Sequence, residues 1–287
     1  MNAFFVILLL FTEHIFTIHV FALDRAINVL SPSELHHGSS VVGKYTAIII
    51  GIDEYQDINI PDLQTAVNDS IAISDVLIRK YNFRDIILLH NKDATREGID
   101  TIFRNKIDTI NENDSLLIYF AGHGDIDKQL GGGWWLPSDA KGGFPGTYID
   151  NTVIQKYIKA IKAKHVLLIS DSCYSGTLFG IISRKAPPII TDKYYLTLYR
   201  EKSRWGMTSG NLTPVIDVGS NTHSIFAYQL IKCFKNNIKK YITHRSIYNQ
   251  IAPIICNNAD QKPMCLPIRN VGDQGGEFIF IQKSHKE

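Results

Sequence analysis

"LLIYFAGHGDIDKQ", residues 116–129, runs from continuous apolar residues straight into Gly122-His123-Gly124 and then into acidic and polar residues. An apolar run without alternation predicts a strand buried on both faces, the kind found in parallel sheets covered by helices. "HVLLISDSCYSGTL", residues 165–178, repeats the plan: an apolar strand ends at Asp171-Ser172-Cys173 and passes into Tyr-Ser-Gly. Two buried strands therefore each deliver a chemically active side chain, His123 and Cys173, at the C-terminal end. In open α/β sheets that end is where ligands bind.

The rest of the chain fits the same architecture. Strands are predicted at 45–53, 85–91, 115–122, 165–171, 204–210 and 275–282. Helices are predicted at 62–82, 95–111, 151–164 and 223–237, with Thr95 as a helix N-cap. Strand–helix alternation with continuous apolar strands predicts an α/β fold, a parallel sheet with helices on both faces. Residues 177–203, with Pro187-Pro188 and a scatter of basic side chains, read as a long exposed connection. Gly131-Gly132-Gly133 lacks the Lys-Ser/Thr of a phosphate-binding loop and reads as a flexible approach to a short strand, with Trp134 and Trp135 as an aromatic wall.

Of 287 residues, 45% are hydrophobic and 20% charged, a globular composition, and the formal net charge of +2 gives no reason to expect a nucleic-acid partner. Residues 1–22, "MNAFFVILLLFTEHIFTIHVFA", contain the apolar run Phe4–Phe11 and small residues at Val20 and Ala22, as a cleaved signal peptide would. The expected organisation is a signal peptide at 1–22, a linker at 23–43 and a catalytic domain at 44–283. The mature protein would then be exported, periplasmic or secreted, with no stable membrane span. The four cysteines form no CxxC pair, so no structural zinc site is expected. Cys233 reads as a core thiol on a helix. A Cys256–Cys265 bridge is open to an exported protein.

His123 and Cys173 together suggest thiol catalysis: the thiolate attacks a carbonyl, and the imidazole moves the proton. Backbone N–H groups of Gly124 and Cys173 are candidates for holding the oxyanion. "YFAGHG" and "DSCYSG" resemble the histidine and cysteine motifs of caspase-fold peptidases, specifically metacaspase-like and bacterial caspase-like proteins. The resemblance runs over roughly residues 44–283. "AIIIGIDEY" and "PDLQTAVNDS" are similar to the family's first strand and helix, "SRWGMTSG" and "HSIFAYQLI" to a later pair, and "QKPMCLPIRNVGDQGGEFIFI" to its ending. The fifty positions between His123 and Cys173 match the caspase interval of about 50.

The resemblance implies a caspase-like α/β three-layer sandwich, a mainly parallel six-stranded sheet with helices on both faces, and a His123/Cys173 dyad in a cysteine endopeptidase acting on peptides or proteins. It also implies a substrate-binding pair, Asp69 and Asp171, selecting Arg or Lys before the cut. Many bacterial relatives resemble one another in a further Glu where Thr213 stands here, with Asp217 the nearest substitute. No cofactor is required by this chemistry, and calcium dependence is left open. Two alternatives remain: a catalytically idle caspase-fold module that binds a partner, and a thiol hydrolase of non-peptide esters or amides. If basic residues are the target, Arg184, Lys185, Lys193, Arg200 and Lys202 make the 177–203 connection a candidate for self-cleavage.

Overall fold

The computed structural model describes residues 42–127, 129, 131–172, 192–210 and 222–284. The expected signal peptide and linker lie outside them, apart from the linker's last two residues. At the centre is a six-stranded sheet of β1 (Tyr45–Gly51), β2 (Phe83–His90), β3 (Ser115–Ala121), β7 (His165–Asp171), β8 (Ser203–Thr208) and β10 (Met264–Pro267). Their order is β10-β8-β7-β3-β1-β2. Five strands run parallel, and β10 closes one edge antiparallel to β8.

Side chains alternate between two cores, as a pleated strand requires. Leu117 and Tyr119 of β3 join Ala47 and Ile49 of β1 on the face covered by α1 (Ala66–Lys80), α5 (Ile225–Asn236) and α6 (His244–Asn258). Leu116, Ile118 and Phe120 join Ile48 and Ile50 on the face covered by α2 (Arg96–Thr109) and α3 (Asn151–Ala160). Each such aliphatic side chain contributes about 1.5–3 kcal/mol by leaving water. The interior strands β1, β3 and β7 are buried at every residue. The edge strand β2 is exposed at several positions.

Several expectations are corrected. The sixth strand of the sheet is β10, whereas the predicted strand at 275–282 shrinks to β11 (Ile279–Ile281). It pairs with β9 (Tyr241–Thr243) in a separate two-stranded ribbon. The 177–203 connection is not all exposed loop: its end forms α4 (Asp192–Arg200), which buries Tyr195, Leu196 and Tyr199. Trp135 is a core residue rather than a cleft wall, stacked on Phe120 with ring centroids 4.1 Å apart. It lies on β5 (Gly132–Trp135), which joins β4 (Gly124–Asp127) and β6 (Ile149–Asp150) in a three-stranded sheet. The β4–β5 hairpin is closed at Gly131, whose φ of +70° is costly for any other residue. Cys256 and Cys265 are free thiols, so the bridge open to them is not formed.

Two fully buried histidines stand at the junction of β7, β8 and α6. His165 packs on Tyr199 at 4.4 Å, and His244 packs on Trp205 at 4.7 Å while its Nδ1 accepts the Phe278 N–H at 3.2 Å. Burial pulls each ring down to a pKa of about 3, helped by Lys164 and Arg204 at His165 and by Arg245 and His165 at His244. Unfolded, both rings take up protons near pH 6.5, so the folded state binds fewer protons between about pH 6.5 and 3. Stability from these rings is therefore complete above pH 6.5 and is lost as pH falls, at up to about 1.4 kcal/mol per pH unit for each ring. Urea midpoints measured between about pH 4 and 8 should show this acid limb, and His165→Phe should flatten it. An unchanged slope in His165→Phe would contradict the assignment.

Candidate active site at the C-terminal edge of the sheet

The loop from β1 to α1 builds the histidine's seat. Asp53, two residues past β1, accepts the N–H groups of Ala66 (2.8 Å) and Val67 (3.2 Å) at the start of α1. A carboxylate there complements the helix's positive end. Asn91 Oδ1 accepts the Asp53 N–H at 2.9 Å and fixes the other side of the turn. Asn91 sits at φ +43°, a left-handed conformation that Asn tolerates better than most residues. Gly51 belongs to the same junction: a Cβ there would lie 2.5 Å from the Ala66 carbonyl oxygen, so only glycine lets β1 and α1 approach this closely.

His123 emerges two residues beyond the end of β3 and is held from two directions by that loop. Its backbone N–H donates to Tyr55 Oη at 2.8 Å, and the Tyr55 ring lies 5.1 Å from the imidazole. Its Nε2 meets the Pro61 carbonyl at 2.8 Å. A carbonyl only accepts, so Nε2 carries the hydrogen, and in the neutral ring Nδ1 keeps the lone pair. The sheet edge thus presents an imidazole in one orientation with Nδ1 as its base. Gly122 fits the exit closely: a Cβ there would stand 3.1 Å from both Phe120 Cζ and Tyr55 Oη, so either side chain would have to give way by a few tenths of an ångström.

Gly124 opens β4, opposite Trp135. The Leu136 N–H bonds the His123 carbonyl at 3.0 Å, so the next pair, Gly124–Trp135, is non-hydrogen-bonded. The Gly124 N–H therefore points away from β5. Cys173, Thr213 and Asp217 lie outside the described residues. The described chain reaches Ser172, one position past β7, which neighbours β3 in the sheet.

Asp69 and Asp171 come together. Asp69, on α1, is 1% exposed, and Asp171, the last residue of β7, is 7% exposed. Ser224 joins them: its N–H donates to Asp69 Oδ2 at 3.2 Å and its hydroxyl to Asp171 Oδ2 at 2.5 Å. His223 Nδ1 lies 2.5 Å from Asp69 Oδ1. Burial, with Lys235 nearby, lowers the pKa of His223, so its ring serves as a neutral donor to the carboxylate near pH 7. Between the two acids lies the buried phenol of Tyr119, whose pKa is pushed up by burial and then by Asp171 and Asp69.

Sequence reasoning missed Tyr55, Pro61, His223 and Ser224. Ser224 was within reach: a serine directly before the apolar period of α5 is an N-cap signal, and its Oγ accepts the Ala227 N–H at 2.9 Å. The helix accordingly begins at Ile225 rather than at His223. Tyr55 and Pro61 act through distant backbone contacts that no local pattern announces. Among the described residues no group of three or more His, Cys, Asp or Glu side chains is arranged around a common metal position, and no helix is long and apolar enough to cross a membrane.

A family model described as the caspase domain matches residues 44–267. The chain is 28% identical to metacaspase-1 of Schizosaccharomyces pombe over 155 residues, and 31% identical to metacaspase-1 of Meyerozyma guilliermondii over 163. These alignments cover 48% and 50% of this chain but only 35% and 38% of the two relatives, so the chain spans well under half of their length. Among solved structures it resembles a protein from Geobacter sulfurreducens, with a TM-score of 0.58 and 18% identity, covering 81% of this chain and 97% of that one. It also resembles caspase-1 from Spodoptera frugiperda, with a TM-score of 0.55 and 14% identity, covering 80% and 89%.

The two roles of Ser224 can be measured. Ser224→Ala removes a helix cap and a donor to a buried carboxylate, and should lower unfolding free energy by about 1–3 kcal/mol. Ser224→Thr, which keeps the hydroxyl, should recover most of it. Denaturant titration reads both, and a loss in Ser224→Ala below about 0.5 kcal/mol would count against the bridge.

Proposed function

Because the chain belongs to the caspase-domain family of cysteine peptidases, we propose that it is an endopeptidase in which Cys173 is the nucleophile and His123 the general acid and base, cutting after Arg or Lys. The observation that carries the specificity is the pair of buried carboxylates meeting at Ser224. Two acids in one nearly dry place favour a cation strongly, since an unpaired buried charge is expensive. Each acid already holds donors, so the pocket stands ready for a guanidinium or ammonium without collapsing when empty.

The chemistry follows from the tautomer. Nδ1 of His123 takes the thiol proton as Cys173 Sγ bonds to the scissile carbonyl carbon. The oxygen, now carrying the negative charge, is met by the outward N–H of Gly124 and by the Cys173 N–H. The imidazolium, steadied by the Pro61 carbonyl at Nε2, returns its proton to the leaving amine as the C–N bond breaks. Water then bonds to the thioester carbon as it gives a proton to His123, the C–S bond breaks to free the acid product, and His123 returns the proton to the Cys173 thiolate. Tyr55 is a positioning residue: it fixes the main chain at His123.

Self-cleavage of the connection after Cys173 is part of the same reading, with narrower targets. Arg200 closes the packed helix α4 and Lys202 lies just before β8. Neither segment can straighten into an active site without unpacking. Lys193 also lies in α4. Arg184 and Lys185, outside the described residues, are the remaining candidates.

Kinetics with an arginyl fluorogenic peptide test the proposal. Cys173→Ala should abolish turnover, and the Cys173→Ala/His123→Ala double variant should be no worse, because members of one catalytic unit are not additive. Asp171→Asn should lower kcat/KM for arginyl substrates by at least about 100-fold, the effect of about 2.7 kcal/mol of lost charge pairing. Wild-type chain should in time be cut after Arg184 or Lys185 while Cys173→Ala stays whole. Turnover by Cys173→Ala would overturn the dyad. An Asp171→Asn enzyme with undiminished arginyl preference would overturn the pocket.

A further inference from the structure

The opposite pole of the sheet carries a second concentration of charge. At the N-terminal edge of β7 and β8 a cavity of about 390 Å³ is lined by Lys159, Lys162, Lys164, Arg200 and Lys202, with Glu112 the one acid on its wall. The size lies within the range of small-ligand pockets. The six steps from His165 to Asp171 along β7, at about 3.3 Å each, put the two poles roughly 20 Å apart.

The floor of this cavity is rigid and is prepared for negative charge. α3 ends here, and the C-terminal end of a helix ordinarily repels anions. Arg204 offsets that end with a positive charge just beyond it. Its fully buried guanidinium donates to the carbonyls of Ile161 (3.0 Å), the C-cap of α3, and of Ala163 (2.6 Å), Lys164 (3.1 Å) and Ser203 (2.8 Å). The nearby acids Asp114 and Asp273 are engaged by backbone N–H groups, Asp114 by those of Lys44 and Asn111, Asp273 by those of Arg204 and Gly275. Glu201 stands near Lys164 and Glu112 near Lys202, yet none of Lys159, Lys162, Lys164 and Lys202 makes a salt bridge among the described residues. Lys164 instead lies over the Tyr199 ring, 5.6 Å from its centre.

We propose that this cavity binds a small anion carrying two or more closely spaced phosphate groups. Four lysines and an arginine around one cavity exceed what a single carboxylate or monophosphate needs. Burial lowers the pKa of Lys164 and of Lys202, with Arg200 adding to the first and Arg204 to the second. A polyphosphate would relieve that mutual repulsion. The site is independent of the peptidase reading, since it shares no residue with the proposed dyad or the acidic pair.

Calorimetric titration of the full chain with tripolyphosphate at constant ionic strength is the test. A micromolar Kd is expected, weakened at least about tenfold in Lys162→Glu/Lys202→Glu. Lys232→Glu/Lys239→Glu, which reverses charge outside the cavity, should stay within about twofold of wild type. If the reversed pair loses its cooperative unfolding transition, Lys162→Gln/Lys202→Gln replaces it with the same expectation. Vesicles bearing a phosphoinositide bisphosphate distinguish the source. Sedimentation of wild type with them, competed by tripolyphosphate, assigns a lipid headgroup, whereas tripolyphosphate binding without sedimentation assigns a soluble ligand. No saturable heat, or equal weakening in both charge-reversed variants, overturns the site.

Discussion

Asp69 and Asp171 carry negative charge into a place almost out of reach of water, where each would cost several kcal/mol without donors. Ser224 and His223 supply those donors, and both stand at the N-terminus of α5. The helix adds its positive end to the same spot. In return the two acids hold α5 against α1 and β7, so one polar cluster ties together a strand end and two helices of the same layer. The geometry of the sheet's active edge depends on this cluster being intact.

The histidine is organised by a different device. Its orientation comes from main chain: a carbonyl at Nε2 and a phenol at its own N–H. The carbonyl at Nε2 only accepts, so it selects one tautomer of the neutral ring. Both partners sit on the β1–α1 loop, which is itself fastened by Asp53 to α1, the helix that bears Asp69. The loop that holds His123 and the helix that bears Asp69 therefore form one continuous segment. Movement of α1 would displace both together.

Much of this was legible in the sequence. The apolar runs of β1, β3 and β7 have no alternation because both of their faces are covered, and that pattern alone predicts a parallel sheet with His123 at its edge. Asp69 and Asp171 were singled out by resemblance and meet in space. Other parts were hidden for physical reasons. The helix α4 has only two turns of apolar spacing, set in a basic, Pro-containing stretch. The helix α6 contains Pro253, which argues against a helix on local grounds but is tolerated because the surrounding turns are packed. β10 and the predicted 275–282 strand are both short, and only tertiary pairing decides which one joins the sheet. The double duty of Ser224 belongs to the same class, for a cap is local and a bridge between distant carboxylates is not.

The central claim is that the Cys173 thiol, which follows β7 in the sequence, is the nucleophile for substrates with a basic residue before the cut. Reaction of the folded protein with an arginyl chloromethyl ketone, followed by peptide mapping by mass spectrometry, addresses it directly. The account predicts a single adduct on Cys173, prevented by free arginyl peptide and absent with an aspartyl ketone, while Cys233, Cys256 and Cys265 remain unmodified. An adduct spread over the other cysteines, or an aspartyl ketone that labels Cys173 as fast as the arginyl one, would contradict it.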